Sequence, residues 1–82
     1  MTSSADDREA EERLLSESVA ERIRKGLAEN DWSQHELARR SGVDVMQISR
    51  LLRCEIGLSA ATLLMLANAF DCPTEEFMPA TH

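Results

Sequence analysis

Tyrosine is absent from these 82 residues, and the aromatic complement is Trp32, Phe70 and Phe77 alone. A chain that is 43% hydrophobic with so few rings builds its core from leucine and alanine, which suits packed helices, and nothing in it suggests a sheet. Long apolar runs are missing too. No stretch approaches the roughly 20 residues of a membrane span, and charged residues stand where a secretion signal needs an apolar region, so a cytoplasmic protein is expected. Cysteine is limited to Cys54 and Cys72, which lack the close spacing and partner histidines of a zinc site. Two free thiols and no metal are expected. There is no serine, histidine and acid set at plausible spacing, no glycine-rich phosphate loop and no pair of inward carboxylates. The expectation is a binding protein rather than an enzyme, with no cofactor.

Positive charge is the remaining shortage. Nine Lys and Arg face 15 Asp and Glu, a net of −6 with a pI near 4.8, the reverse of the usual nucleic-acid footprint. The excess is local, however. Residues 1–21 hold seven acids and two arginines, a net of −5, whereas residues 22–82 come to −1. Within 33–55, Arg39, Arg40, Arg50 and Arg53 outweigh Glu36, Asp44 and Glu55 by one charge, which leaves a weakly positive face with little electrostatic grip. Eighty-two residues make one small domain whose core is marginal unless helices pack locally or a partner adds surface. A dimer is therefore expected.

In chain order, residues 1–15 form an acidic N-terminal tail, read as flexible or as a helical extension, and residues 16–79 form the domain. After Met1, residues 2–13 hold no large apolar side chain, so disorder is the first expectation for residues 1–13; the alternative is a solvated helix capped by Ser4, with Glu9 and Arg13 paired. Leu15, Val19, Ile23 and Leu27 then recur every fourth residue, a helical stripe, with Glu21 and Lys25 paired outside it. Trp32, just before Ser33, is placed as a hydrophobic staple. Ser33 with Glu36 and Asp44 with Gln47 read as two capping boxes, and Gly42 between them supplies the positive φ that ends the first short helix. Ser59 caps a further helix buried through Leu63, Leu66, Ala67 and Phe70, and Thr74 caps a last one carrying Phe77 and Met78.

The stretch Ser33–Arg53 is thus a helix-turn-helix, with Ala38 small enough for close crossing and Ile48 and Leu51 sealing the second helix. With Gln34, Ala38, Gly42, Ile48 and Leu51 it resembles the Cro and phage-repressor type of helix-turn-helix, the Xre family, over about residues 16–78. That resemblance implies an all-α, five-helix repressor-like DNA-binding domain with the helix-turn-helix at helices 2 and 3. It implies a transcriptional regulator, a repressor, reading double-stranded DNA in the major groove with helix 3 as a homodimer. The DNA contacts it implies are Gln34, Ser49 and Arg53 on phosphates, Gln47 on adenine, Arg50 on guanine or phosphate, and Val45 and Met46 on thymine methyls. Phe77 and Met78 are the dimer-interface candidates, with closure of the monomer core as their other reading.

Two departures from the family pattern stand out. A buried arginine in helix 1 commonly pairs with a glutamate late in helix 3; those places are Leu27 and Leu52 here, a double exchange that strands no buried charge. RCEIGLS at 53–59 is similar to the family's RGERGLS run, with Cys54 where glycine is usual and Ile56 where a base is usual. The missing base, the acidic balance and the apolar Val45 and Met46 motivate a second expectation. This is a protein-interaction module of the same fold, such as an antitoxin or a modulator, with a toxin or another regulator as partner.

Overall fold

The computed structural model describes residues 4–79. Four α-helices follow one another without a strand among the described residues: α1 Ser4–Asn30, α2 Gln34–Ser41, α3 Val45–Leu52 and α4 Ala60–Phe70. The fifth expected α-helix is a single 3-10 turn, Thr74–Phe77. Pro73, which has no side chain to offer the backbone, stands at its N-terminus, so Thr74 is not the cap; its hydroxyl donates to Glu75 instead.

α1 is the organising element. Its 27 residues span about 40 Å, close to the 46 Å longest dimension of the molecule. Residues 4–13, for which disorder was the first expectation, belong to this helix. The Ser4 cap and the Glu9–Arg13 pair involve side chains outside the described ones. The outer Glu21–Lys25 pair is not formed; among the described residues, Arg22 of α1 pairs with Glu29, at 3.9 Å, and with Glu76, at 3.1 Å.

The stripe of α1 packs as its spacing requires. Val19 and Ile23 are buried, with Leu15 and Leu27 partly buried against the same core. Leu37, Val43, Ile48, Leu51, Leu66 and Phe77 complete it from the other elements. Gly26 makes room on α1 for the Phe70 ring from the end of α4, since a Cβ there would stand 2.5–2.8 Å from that ring. Phe70 in turn stacks on Trp32, ring centroids 5.7 Å apart. Trp32 thus holds the α1–α2 corner to α4, a wider role than a staple between α1 and α2.

Each chain reversal has a local cause. Ser33 Oγ accepts from Glu36 N at 3.1 Å, and Gly42, at φ 82°, donates its N–H to Ala38 O. Ser59 Oγ accepts from Thr62 N. Asp31, Cys54 and Asp71 end α1, α3 and α4 in the left-handed region at φ 54–58°. The 3-10 turn is fastened to α1 by Ser18, whose hydroxyl donates to Phe77 O at 2.9 Å.

Candidate functional site

α2, the Gly42–Asp44 turn and α3 form one rigid corner whose inner side is the core. Leu37, Val43, Ile48, Leu51 and Leu52 all point into it. What remains on α3 faces outward, and the strength of the corner decides how well those side chains are held.

Asp44 starts α3 by accepting from Met46 N at 2.7 Å. The expected box with Gln47 does not form, because Gln47 serves another helix: its Nε2 donates to Thr62 Oγ1 at 3.2 Å. Thr62 is 7% exposed, the buried polar residue of the core, and it also accepts from Ser59 Oγ at 2.9 Å. Ser59, Thr62 and Gln47 therefore form a hydrogen-bonded chain tying α3 to the first turn of α4. Gln47 is half-buried and braces α3 against α4.

The other end of α3 is held from α1. Arg24 Nη2 donates to Leu52 O at 2.7 Å, satisfying one of the carbonyls that a helix C-terminus leaves open and placing a cation at its negative end. Leu27 and Leu52 both lie in the apolar core. An arginine-to-carbonyl bond one turn before Leu27 thus links the two helices at the place where the resemblance implied an arginine–glutamate pair.

The outward residues differ in how free they are. Met46 is 64% exposed and Arg50 is exposed without an ion-pair partner among the described residues. Val45 and Gln34 are half-buried. Ser49 accepts from Arg53 Nη1 at 2.7 Å, and Arg53 also donates to both oxygens of Glu55, at 2.8 and 3.2 Å. The Arg53 hydrogen bond holds the Glu55 carboxyl below its usual range, and the same bond raises the guanidinium. Arg39 and Arg40 are likewise engaged with Glu36, whose carboxyl is lowered first by Arg39 and then by Arg40. Arg40 lies 4.5 Å above the Trp32 ring.

Met46, Gln47 and Arg50 share one shallow hollow with Asp44 and Ile56. Ile56 and Asp44 were not picked out as site residues from the sequence. In the sequence Ile56 reads as a missing base of the RCEIGLS run, whereas in the fold it lines the hollow with Met46. Phe77 lies elsewhere. It is 0% exposed, beneath Arg22 at 5.9 Å and beside Phe70, so it closes the monomer core and is not an interface residue; Met78 is 43% exposed.

Among the described residues no His, Cys, Asp or Glu group is arranged to hold a metal ion, and no helix is long and apolar enough to cross a membrane. Comparison with curated proteins and with solved structures yields no match. The model of the helix-turn-helix family, by contrast, matches residues 21–77. That span is well over half of the chain and contains the α2–turn–α3 corner with its bracing from α1 and α4, so the chain belongs to the Cro/C1-type, Xre-like helix-turn-helix family.

Proposed function

We propose that this protein is a sequence-specific DNA-binding transcription regulator, acting in the cytoplasm as a repressor and as a homodimer with α3 of each subunit in the major groove. It is a binding protein and not an enzyme. The observation that carries the reading is the outer face of α3, where Arg50 and Met46 are exposed on a helix braced at both ends, in a chain of the helix-turn-helix family. Arg50 supplies the base or phosphate contact, and Met46 with Val45 the thymine methyl contacts. Arg53, Ser49 and Gln34 serve the phosphates, with Arg53 first leaving Glu55. Gln47 sets the α3–α4 angle and offers its remaining amide atoms to the duplex edge.

Selection of duplexes from a random pool at low salt, followed by gel shift, tests it. Wild type should enrich a motif with two half-sites about one helical turn apart, and Arg50→Ala should lose the preference with an unchanged circular dichroism spectrum. Binding of no duplex at low salt would refute the reading.

A second reading is favoured by the exposed Met46 and by Ile56, which line the same hollow: a protein-interaction module, such as an antitoxin or modulator, that presents this face to a protein. Met46→Lys separates the two. It strengthens non-specific DNA binding if the face meets phosphates, and it breaks the complex if the face meets a protein.

A further inference from the structure

A groove of about 480 Å³ lies outside the outward face of α3, within the size range of clefts that hold ligands or side chains of a partner. One wall is the N-terminal half of α1, where Glu12, Leu15, Ser16 and Val19 follow one helical face. The other is Leu51 with the loop from Cys54 to Leu58. Leu15, Ile56 and Leu58, each partly exposed, floor it above the buried Val19 and Leu51, and each wall carries one exposed carboxylate, Glu12 on α1 and Glu55 on the loop. All of the α1 wall precedes residue 21, where the family match begins. The α1 wall is therefore this chain's own addition to the shared domain, whose loop after α3 supplies the other wall.

We propose that this groove docks a basic amphipathic helix of another protein, with the partner's apolar stripe on the floor and its lysines or arginines reaching Glu12 and Glu55. Charge complementarity selects that occupant. Residues 1–21 carry a net charge of −5, Glu12 and the Arg53-paired Glu55 flank the apolar floor, and the other base nearby is Arg13 in the adjoining hollow. A helix laid in a groove binds through spaced apolar anchors, while flanking charges of opposite sign fix orientation and exclude acidic partners. The acidic α1 of a second copy, net −5 over residues 1–21, is a poor match for this groove, so a homodimer would use another face.

The full chain carries its own reporter, since Cys54 is exposed and lines the groove while Cys72 lies elsewhere and is half-buried. An amphipathic helical peptide of leucine and lysine should slow alkylation of Cys54 by N-ethylmaleimide about tenfold at saturation, read by mass spectrometry against Cys72. A serine–lysine peptide of equal charge and a leucine–glutamate peptide should not. Gly57→Phe should abolish the protection with circular dichroism unchanged, because Gly57 lines the groove, its φ is not left-handed, and a Cβ there meets nothing within 4 Å. Glu12→Lys with Glu55→Lys, both at exposed positions, gives an independent arm and should transfer preference to the leucine–glutamate peptide. No protection by the leucine–lysine peptide, or equal protection by the serine–lysine peptide, overturns the proposal. Protection that grows with the protein's own concentration, without peptide, would assign the groove to a second copy and overturn it equally.

Discussion

Cys54 leaves α3 at φ 58°, a conformation in which a Cβ crowds the neighbouring carbonyl at a cost of about 1–2 kcal/mol. Asp31 and Asp71 do the same work at the ends of α1 and α4 with a short polar side chain that tolerates it better. Cys54→Gly keeps the N–H that donates to Leu51 O and removes the crowding, so even after the entropy glycine adds to the unfolded chain it should stabilise by about 0.5–1 kcal/mol. Thermal unfolding followed by circular dichroism should show a rise of a few degrees, about 4–8 °C per kcal/mol for a domain of this size. Gly26 gives the opposite result. Alanine gains about 1 kcal/mol in helix propensity, but its Cβ falls 2.5–2.8 Å from Phe70 ring atoms, and overpacking of about 1–3 kcal/mol outweighs the gain where that ring is stacked on Trp32. Gly26→Ala should lower the melting temperature and change the near-ultraviolet signal of Trp32. At Glu36, the Arg39 bond and then the Arg40 bond hold the carboxyl low. Its contribution to stability is therefore fully present above the unfolded carboxylate pKa and is lost as the pH falls through the lower folded value, and Glu36→Gln should flatten that part of the acid unfolding profile.

Between elements, the corner that presents α3 rests on two long-range bonds, Gln47 to Thr62 and Arg24 to Leu52 O. Thr62→Val keeps the shape of a 7% exposed side chain but leaves Gln47 Nε2 and the Ser59 hydroxyl without their acceptor, at a cost of about 1–2 kcal/mol. Thr62→Ser should restore most of it, as measured by urea unfolding. The elements themselves were readable because their causes are local: Ser33, Gly42, Asp44 and Ser59 act within four residues of where they stand, and the α1 stripe repeats every four. What was not readable depends on contacts far apart in the chain. Asp44 followed three residues on by Gln47 has the spacing of a capping box, yet Gln47 meets Thr62 fifteen positions later, and no local pattern announces that partner. Gly26 and Phe70 need each other across 44 residues in the same way. Phe77 stood equally for a core or an interface residue, and the Ser18 bond to its carbonyl with Arg22 above its ring settled the choice. The candidate site was half legible: Met46 and Arg50 lie outward as expected, whereas the engagement of Arg53 by Glu55 and the position of Ile56 required the loop after α3 to be folded.

Across the whole molecule, the charge is distributed along α1, with most of the net −6 in residues 1–21, while the family match and its helix-turn-helix occupy 21–77. Charges at the far end of a helix about 40 Å long act on a duplex bound at α3 only through solvent, where screening sets in beyond about 8 Å at physiological salt. Such a field cannot distinguish sequences, so it should weaken specific and non-specific DNA binding alike. Residues 1–9 contain Asp6, Asp7 and Glu9 against Arg8, and among the described residues the core side chains begin at Leu15. A chain shortened to begin at Ala10 should therefore melt at an unchanged temperature and keep its motif. It should bind DNA a few-fold more tightly at about 0.05 M salt and indistinguishably at about 0.3 M, where the Debye length is shorter still. Gel shifts of both chains at the two salt concentrations decide the matter. Equal affinity at low salt would mean that the bound duplex lies too far from the extension to feel it, and a loss of affinity would mean that the extension touches DNA directly.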